Sequence, residues 1–343
     1  MSSDRRYIVV GAGAIGGTVG GVLTRAEVPT VLVARGRHAE TLAARGLTLR
    51  TPDGIFHTAV TAVSEAGQLR LTPDDVLVFA TKTQQLDAAL QQWVDQPVHG
   101  PDGVLGTAGD LLPVLTALNG VVAEEKALRY FSRVFGICVW LPAVHLEAGE
   151  VIVRSWPVVG QLHVGRWPAA LRDPADDTLL RALDTAWTAA GVRINVVDDV
   201  APWKYNKLLS NLGNAVGALT ADDNAGSLVT SLREEAHHVL DYAGIAFVPF
   251  EVSTAARVDG PTPRSVPGVD SAASNSTWQS LSRNTGDVET DFLNGEIVRI
   301  AHQHGIEAPL NAALARLARE AVLDEVGPGH YSAQKLAELA GLA

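Results

Sequence analysis

The spacing of apolar positions changes character near residue 198. Before it, short apolar runs at 7–10, 29–34, 76–80, 111–118, 135–141 and 192–197 are bounded by turn residues and interleaved with helical spacing, as at 18–25 and 178–190. Continuous apolar strands that alternate with helices predict a parallel sheet covered on both faces. Two segments depart from this rhythm. Residues 47–50 and 55–60 alternate around Asp53-Gly54 and predict a hairpin. Residues 151–153, 158–160 and 163–165, with turn residues between them, predict further short strands. Beyond Asp198 the spacing is helical almost throughout, at 203–219, 227–243, 287–304, 308–323 and 333–342, with a Pro-rich loop at 261–267. The pattern predicts an α/β chain: an N-terminal doubly wound Rossmann-type domain over 1–198 and a C-terminal all-helical domain over 199–343.

The first strand runs directly into Gly11, Ala12, Gly13, Ala14, Ile15 and Gly16, and a helix follows. This is the strand, tight turn and helix of a dinucleotide-binding unit. Gly11 permits the turn, Gly13 lets the backbone approach a pyrophosphate, and Gly16 lets the helix pack closely on the strand. The phosphates then meet free N–H groups at a helix N-terminus. Arg5 and Arg6 ahead of an uncharged run also resemble a targeting segment. Six glycines between 11 and 21 would make a poor apolar helix, however, and no small-residue cleavage site follows.

Composition narrows the field. A chain of 343 residues with 47% hydrophobic residues fits two ordinary cores. A net charge of −11 disfavours nucleic-acid binding, which needs a basic face. One cysteine, Cys138, excludes an intrachain disulfide and fits a reducing, cytoplasmic setting. It lies in an apolar run, as a buried structural thiol would. After the glycine-rich segment, no stretch is long and apolar enough to span a bilayer. The partner expected is therefore a small molecule, with neither nucleic acid nor membrane; a homodimer is one assembly open to the chain, and the sequence does not fix the oligomeric state.

Polar residues at strand ends carry the candidate chemistry, because ligands of doubly wound sheets sit there. Arg35 ends the second strand, where NAD-preferring folds place an acid. A guanidinium there suits a 2′-phosphate, so NADP(H) is expected. Lys82 follows the strand at 76–80, with a solvated lysine opening a helix as the competing reading, and Asn119-Gly120 stops the apolar run at 111–118. In the second half, Lys207, Asn211 and Asn214 fall within about 60° on one helix face, an ammonium with two carboxamides suited to an oxyacid. A solvated face is the alternative. Glu289 is a candidate carboxylate partner for Lys207 on a helix. The pairs His237-His238 and His302/His304 lack the i, i+4 spacing of a metal site, and no metal is expected.

Together these residues resemble the ketopantoate reductase family (2-dehydropantoate 2-reductases) over nearly the whole chain. The resemblance rests on the glycine motif, Arg35, Thr81-Lys82, Asn119-Gly120, Lys207 with Asn211, and Ser276 with residues 289–295. It implies NADPH-dependent reduction of a 2-oxo acid, most simply 2-dehydropantoate to pantoate, with Lys207 as general acid. It also implies that Asn119 lies between cofactor and substrate, that Asn211, Asn214, Asn224 and Ser276 hold the substrate, and that Ala143 and Glu289 contact the cofactor. Three departures stand out. The second asparagine follows the lysine by seven residues instead of eight. Ser280 or Leu281 replaces an aspartate after the serine. The segment 96–109 is a long Pro- and Gly-rich loop that would modify access. Lys204 competes with Lys207, which alone has an asparagine four residues on. The competing functions are a related dehydrogenase acting on a hydroxyacyl, opine-like or other branched 2-oxo substrate, and a non-catalytic NADP(H) sensor.

Overall fold

The computed structural model describes residues 5–220, 225–269, 276–282 and 288–342, with the side chains of Ser276 and Gln279 set aside. Its strands are β1 (Arg6–Val10), β2 (Thr30–Val33), β3 (Leu47–Thr51), β4 (Gly54–Thr58), β5 (Thr61–Val63), β6 (Asp75–Phe79), β7 (Pro97–Gly100), β8 (Gly103–Thr107), β9 (Pro113–Thr116), β10 (Arg133–Trp140), β11 (Ala143–Val144), β12 (Glu150–Val153), β13 (Gly160–Trp167) and β14 (Val192–Val196). The helices of the first half are α1 (Ala14–Arg25), α2 (Gly36–Arg45), α3 (Leu86–Val94), α4 (Ala108–Leu111), α5 (Ala123–Ala127) and α6 (Pro174–Ala189). Those of the second are α7 (Ala201–Asn211), α8 (Asn214–Leu219), α9 (Gly226–Tyr242), α10 (Phe250–Ala255), α11 (Ser276–Ser282), α12 (Asn294–Gln303), α13 (Pro309–Leu323) and α14 (Ala333–Ala340).

The chain divides into two compact units. The first comprises Met1–Leu118, Val122–Val200 and Glu251–Val269; the second comprises Asn119–Val121, Ala201–Phe250 and Asp270–Ala343. Two short segments thus part from the division at 198/199 expected from the sequence. Residues 119–121 join the helical unit, and 251–269 join the sheet-bearing one. The second exchange has visible causes: Gln161 donates to the Ala256 carbonyl, Arg50 to that of Pro267, and the Arg264 amide to that of Arg154.

In the first unit an eight-stranded sheet has the order β14-β13-β10-β9-β6-β1-β2-β5, parallel except where β10 meets β13. Its central strands are apolar on both faces because both are covered. Tyr7, Val9, Val76 and Val78 look into one core, while Ile8, Val10, Leu77 and Phe79 look into the other. The alternating segment forms the expected hairpin β3–β4, joined by β12 and β11 in a second sheet.

The stretch 96–109 is not a loop over the ligand edge. It folds into the hairpin β7–β8, and the run expected as a strand over 111–118 is a strand only at β9. The hairpin leads into the amino end of β9 and pairs through Val98 with Leu71, which precedes β6. It therefore sits at the end of the sheet opposite the strand carboxyl ends and cannot modify access there.

The second unit is helical, with one core of Leu228, Leu232, Leu314, Leu317 and Leu336 and another of Leu208, Leu212, Val239, Ile297 and Ile300. Helix α7 does not carry all three polar residues expected on its face. It ends at Asn211, and Asn214 opens α8 after Gly213, because Leu212 and Gly213 turn the chain. Lys207 and Asn211 share a helix, and Asn214 starts the next.

Candidate active site

The glycine loop follows β1 at the centre of the sheet. Gly11 has φ +102°, and a Cβ there would lie 2.9 Å from the backbone of Ala80 and Thr81. A Cβ on Gly16 would meet the Gly11 carbonyl oxygen at 2.1 Å, so only glycine allows α1 to approach β1. At Gly13 a Cβ would meet nothing within 4 Å. The loop is thus tight where chain packs on chain and open above Gly13, which fits a pyrophosphate over the first turn of α1.

His38 supports this loop from α2. The Gly149 amide donates to its Nδ1 at 2.9 Å, so the ring hydrogen is on Nε2, which donates to the Ala12 carbonyl at 2.8 Å. Burial holds its pKa below the usual 6.5, against the opposing effect of the Ala12 bond. A protonated ring would turn a second N–H towards the Gly149 amide, so the neutral tautomer is the one that fits. This support is not legible from neighbouring residues, since both partners are backbone groups and one is 111 residues away.

Other strand-end residues lie near this edge of the first unit. Arg35 is exposed at the N-cap of α2, and Lys82 is half-buried at the N-cap of the turn 83–85 that follows β6. Ala143 opens β11, paired with Val153. At the end of β9, the Thr116 hydroxyl donates to the fully buried Glu124 at 2.6 Å.

In the second unit Asn211 Nδ2 donates to Asn119 Oδ1 at 3.3 Å. Gly120 makes that placement feasible: its φ is +77°, and a Cβ there would lie 2.9 Å from the Phe292 carbonyl oxygen. Lys207, one turn before Asn211, is half-buried, while Lys204 is 2% exposed. Asn206 anchors the helix by donating to the Val248 carbonyl at 2.8 Å.

The end of α7 is held by Arg233, which no sequence motif marked, and by Asn294 from the motif at 289–295. Arg233 on α9 donates through Nε to the Leu209 carbonyl at 3.2 Å and through Nη2 to that of Ser210 at 3.4 Å. Asn294 donates to the Leu212 carbonyl at 3.2 Å and to Asn311, which in turn donates to Glu235. A guanidinium at a helix C-terminus satisfies orphan carbonyls and complements the dipole.

Glu289 lies on the short 3₁₀ turn Glu289–Phe292, not within a helix, and is 8% exposed. Ser276 opens α11, whose Ser280 and Leu281 are buried. Asn224 lies outside the described residues. His237 packs against Phe247 and Phe250, consistent with a packing role. Cys138 is buried in β10. No helix among the described residues is long and apolar enough to cross a membrane.

Family models describe the same two parts. Residues 7–169 match "Ketopantoate reductase PanE/ApbA", and residues 199–322 match "Ketopantoate reductase PanE/ApbA C terminal". The chain is 26% identical to the 2-dehydropantoate 2-reductase of Pyrococcus horikoshii over 92% of its own length and 96% of that protein. Among solved structures it resembles a PanE/ApbA family ketopantoate reductase from Ralstonia eutropha (TM-score 0.71, 23% identity, covering 93% of this chain and 99% of that one). It also resembles D-mandelate dehydrogenase solved with NADH and anilino(oxo)acetate (TM-score 0.74, 18% identity, covering 94% and 99%). With both parts of the family matched in order along the chain, the protein belongs to the ketopantoate reductase family, a family of oxidoreductases.

Proposed function

We propose that this protein reduces a 2-oxo acid to a 2-hydroxy acid with NADPH, and that 2-dehydropantoate is its substrate. The observation that carries the reading is the hydrogen bond between Asn211 and Asn119 one helical turn from Lys207. It joins two carboxamides at the end of the helix that carries Lys207, and this supports reading the three as the group that meets a polarised carbonyl. When bound, the reduced nicotinamide supplies a hydride to the carbonyl carbon. Lys207 stabilises the negative charge that develops on the oxygen and gives it a proton, ending as a neutral amine that solvent reprotonates.

Gly11, Ala12, Gly13, Ala14, Ile15 and Gly16 hold the pyrophosphate, with the open space over Gly13 as the supporting feature. Arg35 takes the 2′-phosphate; its exposure at the N-cap of α2 supports this, because neither a side-chain cap bond nor burial prevents it from turning to an anion. Lys82, Ala143 and Glu289 complete the cofactor contacts. Asn119, Asn211, Asn214, Asn224 and Ser276 hold the substrate. A homodimer is the assembly that goes with this reading, to be tested by sedimentation velocity.

The test is initial-rate oxidation of NADPH and NADH with 2-dehydropantoate and a panel of branched and aromatic 2-oxo acids. Turnover with NADPH, highest on 2-dehydropantoate, is expected. Tight NADPH binding with no turnover on any acid would favour a sensor instead.

A further inference from the structure

Within the sheet-bearing unit, Ala12 of the glycine loop is held at both ends of its backbone by one short segment of chain. Its amide donates to the Val33 carbonyl at 3.1 Å, beside that of Gly11 at 3.0 Å, and its carbonyl accepts from His38 Nε2 at 2.8 Å. Val33 ends β2 and His38 lies in the first turn of α2, so the segment 33–38 is pinned to the glycine loop both before and after Arg35. Gly36, with φ +54° and nothing within 4 Å of where its Cβ would be, makes the step from strand to helix between the two pins. Arg35 is thereby an exposed residue of a closed turn, two residues after one anchor and three before the other.

The anchor at His38 is itself fixed. The Gly149 amide donates to its Nδ1 at 2.9 Å, which puts the ring hydrogen on Nε2 and aims it at Ala12. Gly149 has φ +79°, and a Cβ there would run into the Thr41 methyl of α2, so only glycine brings that amide so close. The His145 ring, 4.5 Å from that of His38, closes another side and is tied through Nδ1 to the Glu150 carbonyl at 3.0 Å.

His38 grips one half of a peptide whose other half faces the open side of the loop. The Ala12–Gly13 bond is trans, so the Gly13 N–H points away from the carbonyl that His38 holds. Among the described residues no acceptor takes that N–H, and the space beside Gly13 is open. A hydrogen bond to the carbonyl of an amide also strengthens its N–H as a donor. One imidazole thus orients an uncommitted amide where a pyrophosphate would lie, and ties the helix that starts beside Arg35 to the same peptide. Resting on the dinucleotide reading above, we propose that His38 is a positioning residue for the cofactor: it sets Arg35 at a fixed distance from the Gly13 amide, so that the 2′-phosphate and the pyrophosphate of one ligand are met together.

The test measures the Kd of NADH and of NADPH by fluorescence titration for wild type, His38→Leu, His38→Gln, Arg35→Ala and the double variant His38→Leu/Arg35→Ala, with thermal melts alongside. In His38→Leu the NADH Kd should rise about fivefold, the scale of one hydrogen bond, and the NADPH Kd about 25-fold, because Arg35 is displaced as well. With Arg35 already removed, His38→Leu should cost NADPH only the factor that it costs NADH. His38→Gln, which can still donate to Ala12, should recover most of both losses. If His38→Leu does not fold, His38→Asn, whose amide is too short to reach Ala12, takes its place. Equal losses for NADH and NADPH, an undiminished effect on NADPH in the Arg35→Ala background, or His38→Gln as weak as His38→Leu at equal melting temperature would overturn the proposal. Wild type that binds neither dinucleotide, or Arg35→Ala that weakens both alike, would strike the reading of the site itself and leave His38 nothing to position.

Discussion

Asn211 Nδ2 and Asn119 Oδ1 lie 3.3 Å apart although 92 residues separate them in sequence. The bond fixes the orientation of both carboxamides, since donating from Nδ2 leaves Asn211 Oδ1 to face a second partner. Replacing Asn211 with Ala should therefore raise KM for the 2-oxo acid by about tenfold or more while leaving the NADPH Kd within about twofold. Steady-state kinetics paired with a fluorescence titration of NADPH check this split, and a loss confined to NADPH affinity would move Asn211 to the cofactor site.

The glycine loop predicts two unlike alanine variants. Gly16→Ala drives a methyl group into the Gly11 carbonyl and should destabilise the protein by about 1–3 kcal/mol or more. Gly13→Ala adds its methyl to open space, so thermal stability should hold while NADPH binding weakens. Thermal melts with and without NADPH separate the two outcomes; comparable destabilisation of both apo variants would contradict the packing argument.

On the function proposed above, cofactor choice rests on Arg35. Arg35→Ala should weaken NADPH about tenfold or more and leave NADH nearly unchanged, because only the former carries the 2′-phosphate. If the affinities for both cofactors fall together, Arg35 supports the loop in general and has no phosphate role.

Stability should depend on pH through buried histidines. The His163 pKa falls from 6.5 to about 4 on folding, mainly by burial, and that of His38 is also lowered. Between those values the unfolded chain binds more protons than the folded one, so stability rises with pH and is lost as pH drops from about 6.5 towards 4. For His163 the full effect is about 3 kcal/mol. Denaturant unfolding at pH 7 and pH 4.5 measures it, and His163→Gln should flatten the slope; an unchanged slope would mean that His163 titrates alike in both states.

Local features were legible in the sequence, and distant ones were not. The glycine motif, the strands running into it and the β3–β4 hairpin are dictated by neighbours within a few residues, and they stand where expected. The break between α7 and α8 was hidden because Leu212 continues the apolar spacing of a helix, while the caps that stabilise the break come from Arg233 and Asn294, 24 and 82 residues away from the carbonyls they hold. Arg257 was equally silent. It lies outside every element read from the sequence, between the helical run at 227–243 and the Pro-rich loop at 261–267, and only folding lays it on Trp140. Likewise the 96–109 stretch has the composition of a loop, yet pairing with Leu71 makes it a hairpin at the far end of the sheet.

In the function proposed above, Lys207 protonates the alkoxide formed by hydride transfer to a 2-oxo acid. Single-turnover reduction of 2-dehydropantoate by NADPH, followed in wild type and Lys207→Ala with the cofactor prebound, tests it most directly. In Lys207→Ala the transfer rate should fall by about 10²- to 10⁴-fold with the NADPH Kd nearly unchanged. Transfer at the wild-type rate in Lys207→Ala would contradict it and move the proton donor elsewhere, with Lys204 the next residue to replace.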